Sequence, residues 1–389
     1  MQPRFSLIWA GYAGDMLQLP TSTAQQVTTT LQPVELRRRL PALDVLRGFA
    51  LLGVLVVNVY QSYSFPLGQA DARVGHIIEL LGTGTFYPIF SLLFGVGFAL
   101  YLRKGERALP IFRRRMVTLL FIGLAHGYLL WRGDILGSYA LAGLILPFMV
   151  PWRRAWWGFV VGGWGLTLLL FSPLVDGFPA GSSAAEALLS YGTYGDVVEA
   201  RLGEYTSRLV SGLVTFGGQL FALFLLGLWV GRDLAGRLSS RRFLSVTLLL
   251  SAGVALFPFL LEPRLPPGWG FVLEYLIASP FLGFAYLAAL SLCLLTPFGA
   301  RLLSPLGYVG RMALSNYLGQ SLVCTFVYYG YGLGYYGRLG VTAGLWLSLG
   351  LFALQVLLSF WWLQYFRYGP AEWVWRSLTY AQPQPLRAT

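Results

Sequence analysis

The chain has 389 residues, of which 56% are apolar or aromatic and only 11% are charged. Charged residues make up roughly 25% of a typical soluble domain, so this composition excludes a soluble globular domain and a disordered chain. The formal charge of +12 would suggest nucleic-acid binding in a soluble protein. In an apolar chain, the role of this positive charge depends on where the basic residues lie relative to the apolar segments. We therefore expect no nucleic-acid partner.

Apolar segments of about 20 residues predict an all-α bundle of about ten transmembrane helices. The predicted spans are 43–64, 81–102, 112–131, 134–151, 155–175, 208–231, 243–261, 270–296, 312–331 and 341–366.

The basic residues predict that both termini are cytoplasmic. Most arginines, including Arg37 to Arg39 and those of the loop from Arg103 to Arg115, then fall on the cytoplasmic side, as the positive-inside rule requires. We therefore expect a multi-pass membrane protein whose basic loops face the cytoplasm. The basic loop is expected to contact anionic lipid headgroups at about 1 kcal/mol per basic residue.

Four parts are predicted along the chain. Residues 1–40 form a flexible cytoplasmic tail or an overextended start, and 41–207 form a transmembrane half with five spans and a long outer loop. Residues 208–380 form a second transmembrane half that ends in a short interfacial helix after Pro370, and 381–389 form a tail. The apolar patch at 5–13 is not interpreted as a secretion signal, because Arg37 to Arg39 would still hold the first span with its start inside.

The chemistry available to this chain is limited by the motifs that its sequence lacks. It has no P-loop, no HExxH, no Gly-rich dinucleotide turn and no G-x-S-x-G motif. Its two cysteines, Cys293 and Cys324, lie in apolar segments and offer neither a disulfide framework nor a metal site. Any chemistry therefore falls to His, carboxylate, Arg and amide side chains, and we expect no metal.

Polar residues in the first span form a candidate site, because such residues are costly in a membrane unless they are paired or line a wet cavity. Asp44 and Arg47 stand at i,i+3 and can pair. Arg47 and Asn58 are eleven residues apart, so they share a helix face roughly 16 Å apart along the axis. Alternatively, Asp44 caps the helix and Arg47 is a snorkelling anchor.

His126 and Asp134 flank a tight turn between the third and fourth spans. A histidine within a span can act as a general base or carry protons, and an aspartate can orient its ring. Alternatively, His126 bonds a neighbouring helix and Asp134 caps the fourth span. The other histidine, His76, falls in a polar outer stretch where a solvated role is the simpler explanation.

Two amides, Asn316 and Gln320, lie on one face of the ninth span at i,i+4. They are candidate substrate-binding residues, although bonding between helices is the usual role of such amides.

The sequence resembles the YeiB-like family of bacterial polytopic membrane proteins over essentially its whole length after the tail. Its C-terminal half is similar to a domain of unknown function. The resemblance is carried by residues 43–53, 94–97, 126–136, 310–318 and 369–380. It implies a multi-pass protein of the bacterial inner (cytoplasmic) membrane.

The Leu-Asp-x-x-Arg-Gly opening at 43–48 is also similar to that of two transmembrane acyltransferase groups, the surface-polysaccharide O-acyltransferases and the lysosomal heparan glucosaminide acetyltransferase. This resemblance implies transfer of an acyl group from cytosolic acyl-CoA to a sugar on the far side. The polysaccharide enzymes place a histidine eleven residues after the arginine, where this chain has Asn58. His126, or less readily His76, would then replace it.

The leading hypothesis is a transmembrane acyltransferase with acyl-CoA as donor and a small-molecule, glycan or lipid acceptor. Arg47, placed by Asp44, would bind donor phosphate, His126 with Asp134 would act as base, and Asn58 would stabilise the oxyanion. The alternative is a transporter of a small anionic or lipid-like substrate, proton-coupled through His126 and Asp134. A membrane scaffold is a third reading, favoured only if the polar stripes share no cavity.

Overall fold

The computed structural model describes residues 40–63, 67–105, 108–171, 188–261 and 269–387. Within these ranges the ordered elements are helices, and strand-like pairing is limited to one backbone bridge between Phe366 and Arg387. The predicted all-α class is confirmed. The predicted tail at 1–40 lies outside the described residues except for Leu40, as do 172–187 of the outer loop and the last two residues of the predicted tail at 381–389.

Fifteen α-helices follow one another in the described part of the chain. They are α1 (Pro41–Tyr63), α2 (Gln69–Gly82), α3 (Phe86–Leu102), α4 (Ala108–Ala125), α5 (Leu136–Ile145), α6 (Trp156–Phe171), α7 (Tyr194–Arg232), α8 (Leu234–Ser239), α9 (Arg241–Leu261), α10 (Trp269–Leu273), α11 (Ser279–Leu294), α12 (Pro297–Arg311), α13 (Ala313–Tyr328), α14 (Val341–Tyr365) and α15 (Pro370–Tyr380). Two π-helical turns interrupt this pattern, His126–Leu130 after α4 and Glu274–Ala278 between α10 and α11.

Six helical segments of the described chain are long and apolar enough to cross a membrane. They are Pro41–Tyr63, Gln69–Leu102, Tyr194–Arg232, Arg241–Leu261, Glu274–Leu294 and Val341–Tyr365. Two shorter apolar helices, Leu136–Met149 and Trp156–Leu170, accompany them. The other two predicted spans coincide with α4 and α13, so a multi-pass membrane protein is supported, while the count of ten and the orientation of the termini stay predictions.

Large apolar side chains on the outside of the bundle agree with a lipid environment. Leu249 and Leu250 on α9 are 72% and 66% exposed, and Trp346 on α14 is 68% exposed. Contiguous apolar surface of this kind is uncommon on soluble monomers, whereas lipid tails accept it without cost.

Glycines bring α1 and α12 into close contact. A Cβ added to Gly48 would overlap the carbonyl oxygen of Leu306, and one added to Gly310 would overlap that of Asp44. Small residues allow helix backbones to approach in this way in membrane proteins. The contact places the Asp44 end of α1 against the end of α12.

The longest helix, α7, runs through the predicted boundary at 207/208. Its start is fixed by a capping box in which Thr193 Oγ1 accepts from Asp196 N, while the Asp196 carboxylate accepts from Thr193 N at 2.8 Å. From there it continues for 39 residues to Arg232 and packs along α3 and α6. The two predicted halves therefore share a continuous helix, and their separation as domains stays a prediction.

Candidate functional site

A cavity of about 1090 Å³ extends through the helix bundle. We call its two ends inner and outer, following the orientation that the basic residues predict. The charged lining residues gather at the inner end, and they are Asp44, Arg47, Arg103, Lys104, Arg115, Arg311, Glu372 and Arg376. Lining residues toward the outer end include Asn58, Gln61, Gly82, Gly84, Gly133 and Tyr275. Apolar and aromatic side chains such as Leu51, Phe90 and Phe94 line the part between them.

The first helix contributes one wall of this cavity. Arg47 Nη1 donates to Asp44 Oδ1 at 2.9 Å, and the Arg47 side chain keeps 32% of its surface exposed while that of Asp44 keeps 11%. Arg47 and Asn58 both line the cavity. The stripe predicted from their spacing is thus a cavity wall, and the roles of these residues in binding and chemistry remain predictions.

The inner end is closed on one side by α15, which packs on α4. The Arg115 guanidinium lies 3.6 Å from the centre of the Trp375 ring, and Trp375 Nε1 donates to the Arg115 carbonyl oxygen at 2.9 Å. A guanidinium over an indole face is a favourable cation–π arrangement. The short helix predicted after Pro370 is present and forms part of the cavity wall, while its position at the membrane surface stays a prediction.

Positive charges crowd at the inner end. Burial, together with the nearby charges of Arg376 and Arg115, lowers the pKa of Lys104 below its ordinary value. Arg47 also acts electrostatically on Arg115. Cations from α1, α4, α15 and the turn after α3 are therefore close enough to repel one another.

Glu372 is a carboxylate at the inner end that is used in holding helices together. It accepts from Leu314 N at 2.7 Å and from Ser315 N at 3.2 Å, and it also accepts from the Ser315 hydroxyl. These donors belong to the first turn of α13, whose partial positive charge favours a carboxylate. Burial raises the pKa of Glu372, and these hydrogen bonds oppose the rise.

His126 and Asp134 form a buried pair at the far end of α4. His126 Nδ1 lies 2.8 Å from Asp134 Oδ1, while Asp134 Oδ2 accepts from Gly137 N at 2.8 Å and from the Tyr205 hydroxyl at 3.0 Å. A histidine that donates to a carboxylate through Nδ1 keeps the lone pair of Nε2 available to accept a proton. Asp134 thus bonds both the His126 ring and a first-turn N–H of α5, so neither of its two predicted roles excludes the other.

The His126 ring lies behind the cavity wall. His126 is 2% exposed and is not a lining residue, whereas Tyr317 lines the cavity and its ring centre lies 5.1 Å from that of His126. Within the described part of the chain His126 Nε2 has no hydrogen-bond partner. The sequence did not single out Tyr317, although it stands beside Asn316 in one of the stretches that carry the family resemblance.

Asn316 and Gln320 lie together at a different place, between α13 and α14. Asn316 Nδ2 donates to Ser359 Oγ at 3.0 Å, and Gln320 Nε2 donates to Gln355 Oε1 at 2.8 Å. Gln355 Nε2 in turn donates to the Asn316 carbonyl oxygen at 2.9 Å. Neither residue lines the cavity, so the geometry favours the helix-bonding alternative, and their role in substrate binding stays a prediction. His76 is exposed on α2.

Comparison with known proteins identifies the family. The model of the family "Protein of unknown function (DUF418)" matches residues 229–382. The Bacillus subtilis (strain 168) protein YxaH is 31% identical, covering 92% of this chain and 98% of its own length. This chain belongs to the YeiB-like DUF418 family. The Escherichia coli (strain K12) protein YeiB is also 31% identical over 87% of this chain and 95% of its own length. A Bacillus acidopullulyticus 39.9 kDa protein in the amylase 3' region is 31% identical over 92% of this chain.

Membership of the DUF418 family supports the membrane architecture, and these relatives' names state no activity. The similarity to acyltransferases therefore remains an expectation. The sequence alone indicates only a surface-anchoring role for Lys104, Arg115 and Arg376. Their place at one cavity end depends on how three separate segments pack.

Proposed function

We propose that this DUF418 protein is a transmembrane acyltransferase, which takes an acyl group from cytosolic acyl-CoA and passes it to an acceptor at the outer side. The observation that supports it is the single cavity that joins the Arg47 end of α1 to the Asn58 end. An acyl thioester bound through its phosphates at the inner end can extend along the apolar walls toward the acceptor.

The reaction requires four events at the outer part of the cavity. The acceptor O–H or N–H loses its proton, its oxygen or nitrogen bonds to the thioester carbonyl carbon, the C–S bond breaks, and the CoA thiolate leaves and is protonated. Asn58 lines this part of the cavity, and in the proposed reaction it donates an N–H to the developing oxyanion. His126, held by Asp134, is the base and accepts the proton of the acceptor on the lone pair of Nε2. Because Tyr317 stands between His126 and the cavity, this step requires the Tyr317 side chain to turn aside.

Binding of acetyl-CoA, CoA and dephospho-CoA to purified protein tests the donor half of this proposal without knowledge of the acceptor. A ligand at 100 times its Kd stabilises the folded state by about 2.7 kcal/mol, so we expect a rise in Tm that Arg47→Ala abolishes. Arg241→Ala is the control, since Arg241 is exposed at the start of α9 and lies off the cavity. An unchanged Tm of the wild type at millimolar CoA contradicts the proposal.

A proton-coupled carrier for a small anionic or lipid-like substrate is the second candidate function. The His126–Asp134 pair favours this function, because a buried histidine paired with a carboxylate beside the cavity can carry protons. Among the described residues, no histidine lines the cavity itself. The two functions differ in the fate of the thioester. A transferase incubated with acetyl-CoA and bacterial membranes releases free CoA thiol at a rate that Asn58→Ala and His126→Ala lower, whereas a carrier leaves the thioester intact.

A further inference from the structure

The inner end of the cavity combines strong positive charge with aromatic walls. Six lining residues there are Arg or Lys and two are carboxylates, among the residues that the structure describes. The cations come from five separate segments, and they are Arg47, Arg103, Lys104, Arg115, Arg311 and Arg376. Chains rarely bring like charges together inside a membrane protein unless a partner of opposite charge binds there.

Both carboxylates at this end already have partners. Asp44 accepts from Arg47 at 2.9 Å, and Glu372 accepts three hydrogen bonds from the start of α13. With both carboxylates counted, the described lining residues at this end still carry a formal surplus of four positive charges. Burial lowers the pKa of Lys104, and the nearby charges of Arg376 and Arg115 lower it further. An anion bound among these three would relieve their mutual repulsion.

Arg115 has the geometry of a positioned anion ligand. It directly follows Arg113 and Arg114 in the chain. These two arginines are exposed on α4, whereas Arg115 is partly buried and lines the cavity. Its guanidinium rests on the Trp375 ring at 3.6 Å. A stacked guanidinium presents its N–H edge in a fixed plane, which suits bidentate bonding to phosphate oxygens.

We propose that Lys104, Arg115 and Arg376, together with Arg47, form a site for a ligand that carries two or more phosphate groups, with α15 as its wall. The charge surplus of four exceeds what one phosphate would neutralise. The apolar walls beyond Arg47 and Leu51 then accept the uncharged remainder of the ligand. The proposal deepens the proposed function and rests on it for the assignment of this end as the donor entrance.

Thermal unfolding in phosphatidylcholine nanodiscs tests the site. The soluble probes are inorganic pyrophosphate and adenosine 3′,5′-bisphosphate, and the lipid probe is cardiolipin, which carries two phosphate groups, included in the nanodisc. We expect at least one of the two probe classes to raise the Tm of the wild type, with at least about a tenfold weaker apparent Kd in Arg115→Gln and in Arg376→Gln. A response to the soluble probes identifies a free phosphate compound, and a response to cardiolipin alone identifies a lipid headgroup.

Arg114→Gln is the matched control, because it removes one charge from the same triplet on the exposed side of α4. Equal weakening in Arg114→Gln and Arg115→Gln, or no response of the wild type to any probe, overturns the proposal. Arg115→Lys, which keeps the charge but loses the planar fork, guards against misfolding of the Gln variant, and we expect it to bind with intermediate affinity. Phosphate binding without release of CoA thiol would support this site and contradict the transferase.

Discussion

Two pairs of polar side chains in this protein have different environments, and the difference governs what each pair can do. Asp44 and Arg47 pair at 2.9 Å with the arginine still 32% exposed to the cavity, so a ligand can reach the guanidinium. His126 and Asp134 pair at 2.8 Å with side chains 1% and 0% exposed. The second pair can act on a ligand only after a movement of its cover, Tyr317.

Glu372 gives a prediction for the dependence of stability on pH. Burial raises the pKa of this carboxyl in the folded protein, whereas in the unfolded chain it is near 4.3. The folded state then binds more protons in the window between these two values, so this residue's contribution to stability falls as pH rises through it. We expect the Tm of the wild type relative to Glu372→Gln to decrease as pH rises from 4 to 7.

The comparison with Glu372→Gln removes the contribution of all other titrating groups, since Gln keeps an acceptor oxygen for α13 and does not titrate. A difference in Tm that stays constant over this pH range, or one that grows with pH, contradicts the interpretation of Glu372 as a buried carboxyl with a raised pKa.

At the scale of helices, the contact of α1 with α12 controls the position of the charged inner residues. Gly310 faces the Asp44 carbonyl oxygen so closely that a Cβ has no room. We expect Gly310→Ala to lower the free energy of unfolding by about 1–3 kcal/mol, because the added Cβ forces the two helices apart. We also expect it to weaken the binding of any ligand that contacts Arg47. Thermal unfolding in detergent measures the first effect.

Gly350→Ala is the control for this substitution, because Gly350 also lies in a helix, α14, and its added Cβ meets no atom within 4 Å. Alanine favours helices over glycine, so Gly350→Ala should be neutral or slightly stabilising. Equal Tm values for the two variants would show that the α1–α12 contact is looser than the structure indicates.

At the scale of the whole molecule, the predicted topology assigns the residues that join helices to opposite sides of the membrane. Ser239 at the end of α8 falls inside and Arg338, before α14, falls outside, and both are exposed. In a Cys293→Ala, Cys324→Ala background, we expect a membrane-impermeant maleimide to label Arg338→Cys in intact cells and Ser239→Cys only after lysis. Labelling of both in intact cells would refute ten spans with both termini inside.

A second prediction at this scale concerns the passage between the two ends of the cavity. Gly97 on α3 lines it, and a Cβ there meets no atom within 4 Å, so Gly97→Phe should fold and block the passage between the ends. We expect acetyl transfer, measured as CoA thiol release, to fall at least about tenfold, while the Tm response to CoA at the inner end persists. The control is Gly162→Phe on the exposed face of α6, which should leave the rate of acetyl transfer unchanged. If Gly162→Phe lowers this rate as much as Gly97→Phe does, the cavity has no role in transfer.

Much of the architecture could be predicted from the sequence, because apolar length and helix periodicity are local properties. The apolar segments predicted the helical class, the spacing of Asp44 and Arg47 predicted their pair, and Pro370 predicted the start of α15. The pairing of His126 with Asp134 was also within reach, because only a tight turn separates them. The length of α7 was not predicted, since its polar first half, from Tyr194, lacks the hydropathy of a span.

The site itself depended on tertiary structure. Sequence spacing placed Arg47 and Asn58 on one face but could not show that this face borders a cavity, nor that Arg115 and Arg376 meet it from α4 and α15. Nor could it show that Tyr317 covers His126, or that Asn316 and Gln320 bond α14. The sequence determines which residues are costly to bury in a membrane, whereas only the packing of distant helices decides which of them share a space, since that depends on contacts between residues far apart in the chain.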